Sequence, residues 1–140
     1  RRQRQMCIRD RYTTSNVNSK SISKSGGAAI YRGLLKIGPN AEHAKATVSC
    51  ESLMLDEISQ SDTIPAIIVE NDNVDLGHEA KIGRISDEAI FYLMTRGISE
   101  EEARAMLVRG FVEPISKELP LEYAVEMNNL INLELEGSIG

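Results

Sequence analysis

The stretch "KIGRISDEAIFYLMTRG" (residues 81–97) is the place where the periodicity of the sequence changes. Ser86, followed by two acids, is typical of a helix N-cap with a negatively charged first turn. Gly97, at the end of the apolar run, is typical of the residue just past a helix C-terminus. The stretch therefore predicts a helix that starts at Ser86, and a boundary between two kinds of structure.

Downstream of this boundary the sequence predicts further helices. Ser99 is expected to cap a second helix, with Glu102 completing a capping box, and Gly110 is expected to end it. The segment "EPISKEL" (113–119) predicts a short turn or helix, and Pro120 opens the last helix. The apolar stripe expected on that last helix consists of Tyr123, Ala124, Met127, Leu130, Ile131 and Leu135.

Upstream of the boundary, short runs predict β-strands. Starts at Ala29, Ala46 and Ile64 are spaced by 17 and 18 residues, with no helical segment between them. Such spacing fits a sandwich, a barrel, or successive faces of a parallel β-solenoid, and the pattern leaves these three open. The runs are "AIYRGLLKI" (29–37), "ATVSCESLML" (46–55), "IPAIIVEN" (64–71) and the weaker "NVDLGHEAKI" (73–82).

The N-terminal stretch differs in charge from the rest. Residues 1–11 hold five arginines against Asp10, a net charge of +4, so the remainder of this −5 chain carries −9. We expect residues 1–17 to be a tail outside the folded protein, disordered or a cloning remnant. An acidic body disfavours nucleic acid as a partner, because phosphates would repel it. The missing initial Met also indicates a fragment or a processed product.

Apolar residues make up 41% of the chain, as in ordinary globular proteins. No apolar run approaches the roughly 18 residues that span a bilayer, so we expect no membrane partner. There are two cysteines, Cys7 in the expected tail and Cys50 in the body. One body cysteine cannot form an internal disulfide, which indicates a reducing compartment.

Two places could carry chemistry. Cys50 is either a thiolate that binds soft metal, carries sulfur or attacks an electrophile, or a small buried hydrophobe. His78 and Glu79 are adjacent, so on a strand they point to opposite faces and cannot chelate one ion, whereas in a bulge they could. The alternative for this pair is a polar linker. A hydrolase or metalloenzyme built on it lacks a nucleophile–base–orienter set.

The acidic helices also allow two interpretations. They are either a solvated surface or a docking face whose apolar side chains the short helices only partly bury. The side chains of the predicted docking face are Phe91, Leu93, Met106, Leu107 and Phe111.

Several long strings resemble one family. "SKSISKSGGAAIYRGLLKI", "VSCESLML" and the segment from "HEAKIGRISDEAIFYLMTRGISEEEARAML" to "LEGSIG" resemble the C-terminal part of the SufB/SufD family. These proteins belong to the SUF machinery of iron–sulfur cluster assembly, and the SufB-type members are the more similar. The resemblance covers about residues 18–140.

The resemblance implies a fold and a domain organisation. Residues 18–85 would be the last coils of a right-handed parallel β-helix, and residues 86–140 a helical subdomain that docks a partner ATPase. The expected fold class is thus mainly β followed by α.

The resemblance also implies a function: a scaffold, not an enzyme, that helps build and transfer nascent iron–sulfur clusters. Cys50, His78 and Glu79 fall on positions held to collect sulfur and iron. The implied partners are the SufC-type ATPase, a SufD-type paralogue, a sulfur donor and acceptor apoproteins. A reduced flavin would bind through an N-terminal part that lies outside this chain. The implied compartment is the bacterial cytoplasm, or the plastid stroma in a eukaryote. The alternative is a SufD-like structural subunit without cluster chemistry.

Overall fold

The computed structural model describes residues 2–136, and the side chains of residues 6–135. Strands come first along the chain and helices follow, as the change of periodicity predicts. The strands are β1 (Arg2–Ile8), β2 (Thr14–Ser23), β3 (Ala28–Ile37), β4 (Lys45–Met54), β5 (Gln60–Val69) and β6 (Asp75–Arg84). The helices are α1 (Asp87–Met94), α2 (Glu100–Ser116) and α3 (Leu121–Glu136).

The strands form two parallel sheets of three strands each. Sheet A has the order β1-β3-β5 and sheet B the order β2-β4-β6. Each connection within one sheet therefore passes through a strand of the other sheet. The four strands predicted from the sequence overlap β3 to β6, so the β-then-α order is confirmed.

The structure contradicts the tail expected at residues 1–17. Strand β1 lies entirely within this stretch and pairs in parallel with β3, from Arg2 opposite Tyr31 to Ile8 opposite Ile37. Strand β2 starts in it, at Thr14, and pairs with β4 over its whole length. The charge of the arginines hid the strand, although backbone pairing requires no particular side chain and the Ile8 side chain is buried.

Strand β2 has little apolar signal because all but one of its inward positions, Val17, carry serine hydroxyls. Ser21 and Ser52 lie within hydrogen-bond distance of each other, at 2.7 Å. Ser23 is buried and donates to the backbone carbonyl of Gln60, at 3.2 Å. Because these hydroxyls satisfy each other inside, a strand that looks polar by composition is compatible with burial.

The core of the strand region lies between the two sheets. Along β4 the burial alternates, so that Ala46, Val48, Cys50 and Ser52 face inward. This period of two is the expected signature of a strand with one covered face. The residues of the buried apolar cluster are Ile8, Leu35, Ile37, Ala41, Ala44, Ala46, Val48 and Cys50.

The chain divides into two compact units between Arg84 and Ile85, one residue before the boundary expected from the sequence. In the second unit the predicted N-caps at Ser86 and Ser99 are confirmed, while the carboxylate of Glu102 accepts a bond from Arg109. The hydroxyl of Ser86 accepts from the backbone N–H of Ala89 at 3.1 Å, and that of Ser99 accepts from Glu102 at 3.2 Å. Gly97 follows α1 with φ of +87°, the left-handed conformation expected there.

The prediction that Gly110 ends the second helix is wrong. Helix α2 continues through Gly110 and Pro114 to Ser116. A glycine inside a helix costs only about 1 kcal/mol relative to alanine. Burial of Ala103 and Val108 on the same helix outweighs this cost, since both side chains are almost fully removed from water.

The helical unit buries few side chains. On the predicted stripe of α3, Tyr123 and Leu130 are exposed, whereas Met127 and Ile131 are half-buried. The buried apolar residues of the described part of this unit are Ile90, Ala103 and Val108. Within residues 2–136, no helix has the length and apolar character required to cross a membrane.

Candidate functional site

Cys50 lies in the middle of β4 on its inward face. Its side chain is only 2% exposed and belongs to the buried cluster between the sheets. Both flanking inward positions, Val48 and Ser52, are buried as well. The thiol is therefore enclosed by the strand region rather than presented on an outer surface.

His78 lies on the neighbouring strand β6, opposite Val48 in the parallel register. Residues paired across a sheet point to the same face, so His78 shares the inward face with Val48 and Cys50. Its imidazole Nε2 is 4.0 Å from the Sγ of Cys50. The structure thus brings together two of the three residues predicted for the site, which are 28 positions apart in sequence.

The 4.0 Å separation suits two donors of one metal ion. An ion such as zinc forms bonds of about 2.3 Å to sulfur and about 2.05 Å to nitrogen. Those lengths place the donor atoms about 3.6 Å apart at a tetrahedral angle and about 4.3 Å apart on a straight line. The Cys50–His78 separation lies between these limits. The sulfur and the imidazole nitrogen would therefore both be within reach of one thiophilic ion.

Glu79, the third predicted residue, is not part of this arrangement. It is paired with Ser49 and points to the outer face of sheet B, where its side chain is 59% exposed. There its carboxylate is 3.0 Å from the ammonium of Lys81. Hydrogen bonding and charge attraction from Glu79 raise the pKa of Lys81. The alternation of a regular strand separates His78 from Glu79, and the bulge that would unite them is not formed.

Burial raises the pKa of the Cys50 thiol above its ordinary value. The cause is the loss of hydration, which disfavours the charged thiolate. A metal ion that binds the sulfur would displace the thiol proton, and its positive charge would balance the negative charge of the thiolate. Within the described residues, no group of three or more Cys, His, Asp or Glu side chains could hold a metal. Cys50 and His78 are therefore an incomplete ligand set.

Sequence reasoning missed the hydroxyls beside Cys50. Ser19 is paired with Cys50 on β2, and Ser52 follows it on the same face of β4. The signal was present, since serines recur with a period of two in "SNVNSKSIS" (15–23). These small side chains leave the thiol in a mildly polar part of the interior.

The predicted docking residues of the helical unit have different exposures. Phe91 is 69% and Met106 40% exposed, whereas Leu93, Leu107 and Phe111 are half-buried. Other large apolar side chains are exposed nearby in sequence but were not predicted. They are Tyr92, Met94, Leu121, Tyr123, Val125, Leu130 and Leu133. The unit thus presents more apolar surface than the sequence analysis assigned to it.

Comparison with known proteins identifies the class. The family model described as "SUF system FeS cluster assembly, SufBD core domain" matches residues 3–111. The chain therefore belongs to the SufBD family of iron–sulfur cluster assembly proteins. The match begins at residue 3, so it includes most of residues 1–17, where the sequence predicts a tail.

Individual relatives include SufB. The iron–sulfur cluster assembly protein SufB of Bacillus subtilis is 57% identical over 128 residues, which are 91% of this chain and 28% of the relative. SufBD family proteins of Staphylococcus haemolyticus and Staphylococcus saprophyticus are 59% and 58% identical over the same shares. The chain thus spans little more than a quarter of the length of these relatives, and it matches their C-terminal portion.

Proposed function

We propose that this chain is part of a SufB-type scaffold of the SUF machinery, which helps build nascent iron–sulfur clusters and transfers them to acceptor proteins. In this proposal it is not an enzyme, and a SufC-type ATPase and a SufD-type paralogue are its partners. Its place is the bacterial cytoplasm, because the relatives are bacterial and Cys50 must stay reduced. The cluster is cargo, not a resident cofactor.

The proposal includes a parallel β-helix, which backbone hydrogen bonds in the turns support. The N–H groups of Leu55, Gln60 and Glu70 bond to carbonyls of Ser23, Gly27 and Ile37, each on the preceding passage of the chain. Tyr12 and His43 each lie two residues before a strand of sheet B and stack at 5.0 Å. Turns that stack as the strands do are what successive coils of a solenoid require.

The observation that carries the function is the contact between Cys50 and His78. A thiolate and an imidazole are both ligands that iron–sulfur centres use. With two ligands instead of four thiolates, the chain holds iron and sulfide weakly, which suits a protein that must release its cargo. Strand β6 lies at an edge of sheet B in the described part of the chain. We infer that a partner chain beside this edge supplies further ligands.

The helical unit is proposed to dock the ATPase. Phe91 is mostly exposed and Met106 partly so, and exposed apolar surface that forms a patch marks an interaction site. The first turns of α1 and α2 also carry acids, so the unit is acidic as well as apolar. The proposed docking surface therefore combines apolar and acidic side chains, as protein interfaces commonly do.

The experiment is anaerobic reconstitution of the chain, within its full-length scaffold and with both partners, using ferrous iron and sulfide. We expect cluster absorption to be lost with Cys50→Ser and strongly reduced with His78→Gln. The chain offers matched controls, since Cys7→Ser and His43→Gln change the only other cysteine and histidine. An unchanged cluster yield with Cys50→Ser would remove the thiol from the proposal.

A second candidate is a SufD-like structural subunit, and the burial of Cys50 favours it. A thiol whose pKa is raised by burial is protonated and inert at neutral pH unless a metal displaces the proton. This candidate predicts that Cys50→Ser leaves assembly of the complex and cluster yield unchanged. The same reconstitution therefore separates the two.

A further inference from the structure

A cavity of about 350 Å³ lies between sheets A and B. Every strand contributes to its wall, so it belongs to the strand region alone. One wall residue from each strand, in chain order, is Met6, Val17, Leu35, Val48, Ile67 and His78. We call this space the inter-sheet cavity.

The wall of the inter-sheet cavity is almost entirely apolar. Tyr31 and His78 carry its hydrogen-bonding side chains, and none of the described residues that line it is Asp, Glu, Lys or Arg. An apolar cavity with a few polar groups is the usual composition of a small-molecule site. A cation would lose its hydration here without gaining a counter-charge, and an anion would find only the imidazole of His78, so burial of either charge is costly. The chemistry of the wall therefore selects an uncharged ligand.

The position of Tyr31 depends on a glycine. A Cβ atom at Gly33 would lie 2.8 Å from the Tyr31 hydroxyl and 2.9 Å from its Cε1. The phenol ring therefore lies over Gly33, and only glycine leaves room for it. Since Gly33 is itself part of the wall, the hydroxyl end of Tyr31 is at the cavity, in the same enclosure as the imidazole of His78.

The cavity has an entrance at the edge strand β5. Pro65, Ala66 and Ile67 line it and are also exposed to solvent. A ligand can therefore enter without unpairing β3 from β5.

We propose that the inter-sheet cavity binds a small neutral aromatic molecule of about two fused rings, with its polar atom bonded to the hydroxyl of Tyr31 or the imidazole of His78. The size follows from volume, because a cavity of about 150 Å³ accommodates benzene. The aromatic class follows from the rings of Tyr31 and His78 in the wall, because a flat aromatic ligand can pack against such rings. The inference goes beyond cluster assembly, and it is measured without iron, sulfide or a partner.

The test is a calorimetric titration with indole of the full-length scaffold that contains this chain. We expect saturable binding of one indole per chain. Naphthalene, which lacks the N–H group, should bind more weakly, and the tryptamine cation should bind at least about 10-fold more weakly because no acid in the wall pairs its charge. Tryptamine binding as strong as that of indole would contradict the assignment of this cavity.

Two variants place the ligand. Tyr31→Phe keeps the ring and should weaken indole about 3- to 10-fold while leaving naphthalene unchanged, as expected for one hydrogen bond. The matched control is Tyr12→Phe, since Tyr12 is 74% exposed and lies outside the cavity. Ile67→Trp enlarges a wall side chain that is opposite the buried Leu35 and should abolish binding, whereas Ala28→Phe, exposed and outside the wall, should not. Wild-type affinity in Ile67→Trp, or no saturable binding to the unmodified chain, overturns the proposal.

Discussion

The Sγ of Cys50 and the Nε2 of His78 lie 4.0 Å apart on the inward face of sheet B. The contact joins two neighbouring strands and is set by their register, in which Val48 is opposite His78 and Cys50 is opposite Ala80. A shift by one residue would turn the histidine to the outer face. The geometry of the pair is therefore a property of the sheet and not of a flexible loop.

This geometry predicts weak metal binding by the chain itself. Titration with cobalt(II) should give a thiolate-to-metal absorption band that Cys50→Ser removes. His78→Gln should lower the affinity by at least about 10-fold, the effect known for loss of even an outer-shell partner. Glu79→Gln should change nothing, because that carboxylate is on the opposite face and contacts Lys81.

The controls are the other members of the same residue types. Cys7→Ser and His43→Gln should leave the cobalt titration unchanged, since the structure places neither beside Cys50. If Glu79→Gln weakens binding as much as His78→Gln does, the strand is not regular at this point and the described ligand set is wrong.

The raised pKa of Cys50 predicts slow, pH-dependent alkylation. In a Cys7→Ser background, iodoacetamide should react with the folded chain only as the pH rises beyond about 8.5, the ordinary thiol value. Burial favours the neutral thiol in the folded state, so the contribution of this thiol to the free energy of unfolding is complete below the pKa that it has in the unfolded chain. That contribution is lost as the pH rises through the pKa of the thiol in the folded chain.

The measurement compares alkylation rates of the folded and the urea-unfolded chain from neutral to alkaline pH. The unfolded chain should react at lower pH than the folded one. Equal profiles would mean that the thiol is open to solvent, in conflict with its burial.

The sequence allowed prediction of the strands that carry alternating apolar residues and of the helices that carry caps. Ser86, Ser99 and Gly97 act through local hydrogen bonds and backbone conformation, which a short stretch specifies by itself. Strands β1 and β2 lack an apolar pattern, because they are held by backbone pairing to β3 and β4, about 30 positions away, and β2 shows its period of two only in its serines. Their arginines and serines have no apolar period.

The site was only partly predictable for the same kind of reason. Strand alternation predicts that His78 and Glu79 point to opposite faces, and the structure shows this arrangement. The family resemblance had implied that both residues belong to one site. The contact of Cys50 with His78 depends on register between two strands, which no local pattern specifies. Likewise, the place of Tyr31 over Gly33 becomes evident only from the packed interior.

The exposed aromatic ring of Phe91 predicts a binding phenotype without a folding phenotype. Phe91→Ser should change the free energy of unfolding by no more than about 0.5 kcal/mol, because the side chain is 69% exposed. It should nevertheless weaken association with the SufC-type ATPase by about 10-fold or more, as expected for an aromatic residue at the centre of an interface.

The control is Ile82→Ser, an exposed apolar residue of strand β6 in the other unit. It should leave ATPase binding intact, as measured by co-purification and titration calorimetry. Loss of binding with Ile82→Ser and not with Phe91→Ser would assign the docking surface to the strand region instead.

Two glycines of the helical unit predict opposite effects of the same substitution. At both Gly97 and Gly110 an added Cβ atom would meet nothing within 4 Å, so steric contact with neighbours cannot distinguish them. Gly97 has φ of +87°, where an L-residue loses about 1–2 kcal/mol. Gly110 lies inside α2, where alanine is favoured over glycine by about 1 kcal/mol.

We therefore expect Gly97→Ala to lower the free energy of unfolding and Gly110→Ala to raise it, both measured by urea denaturation followed by the helical circular dichroism signal. The double variant should be close to the wild type, because the two effects have opposite signs and the sites share no contact. Stabilisation by Gly97→Ala would mean that α1 continues past Thr95 and that the sequence signal at Gly97 does not end the helix.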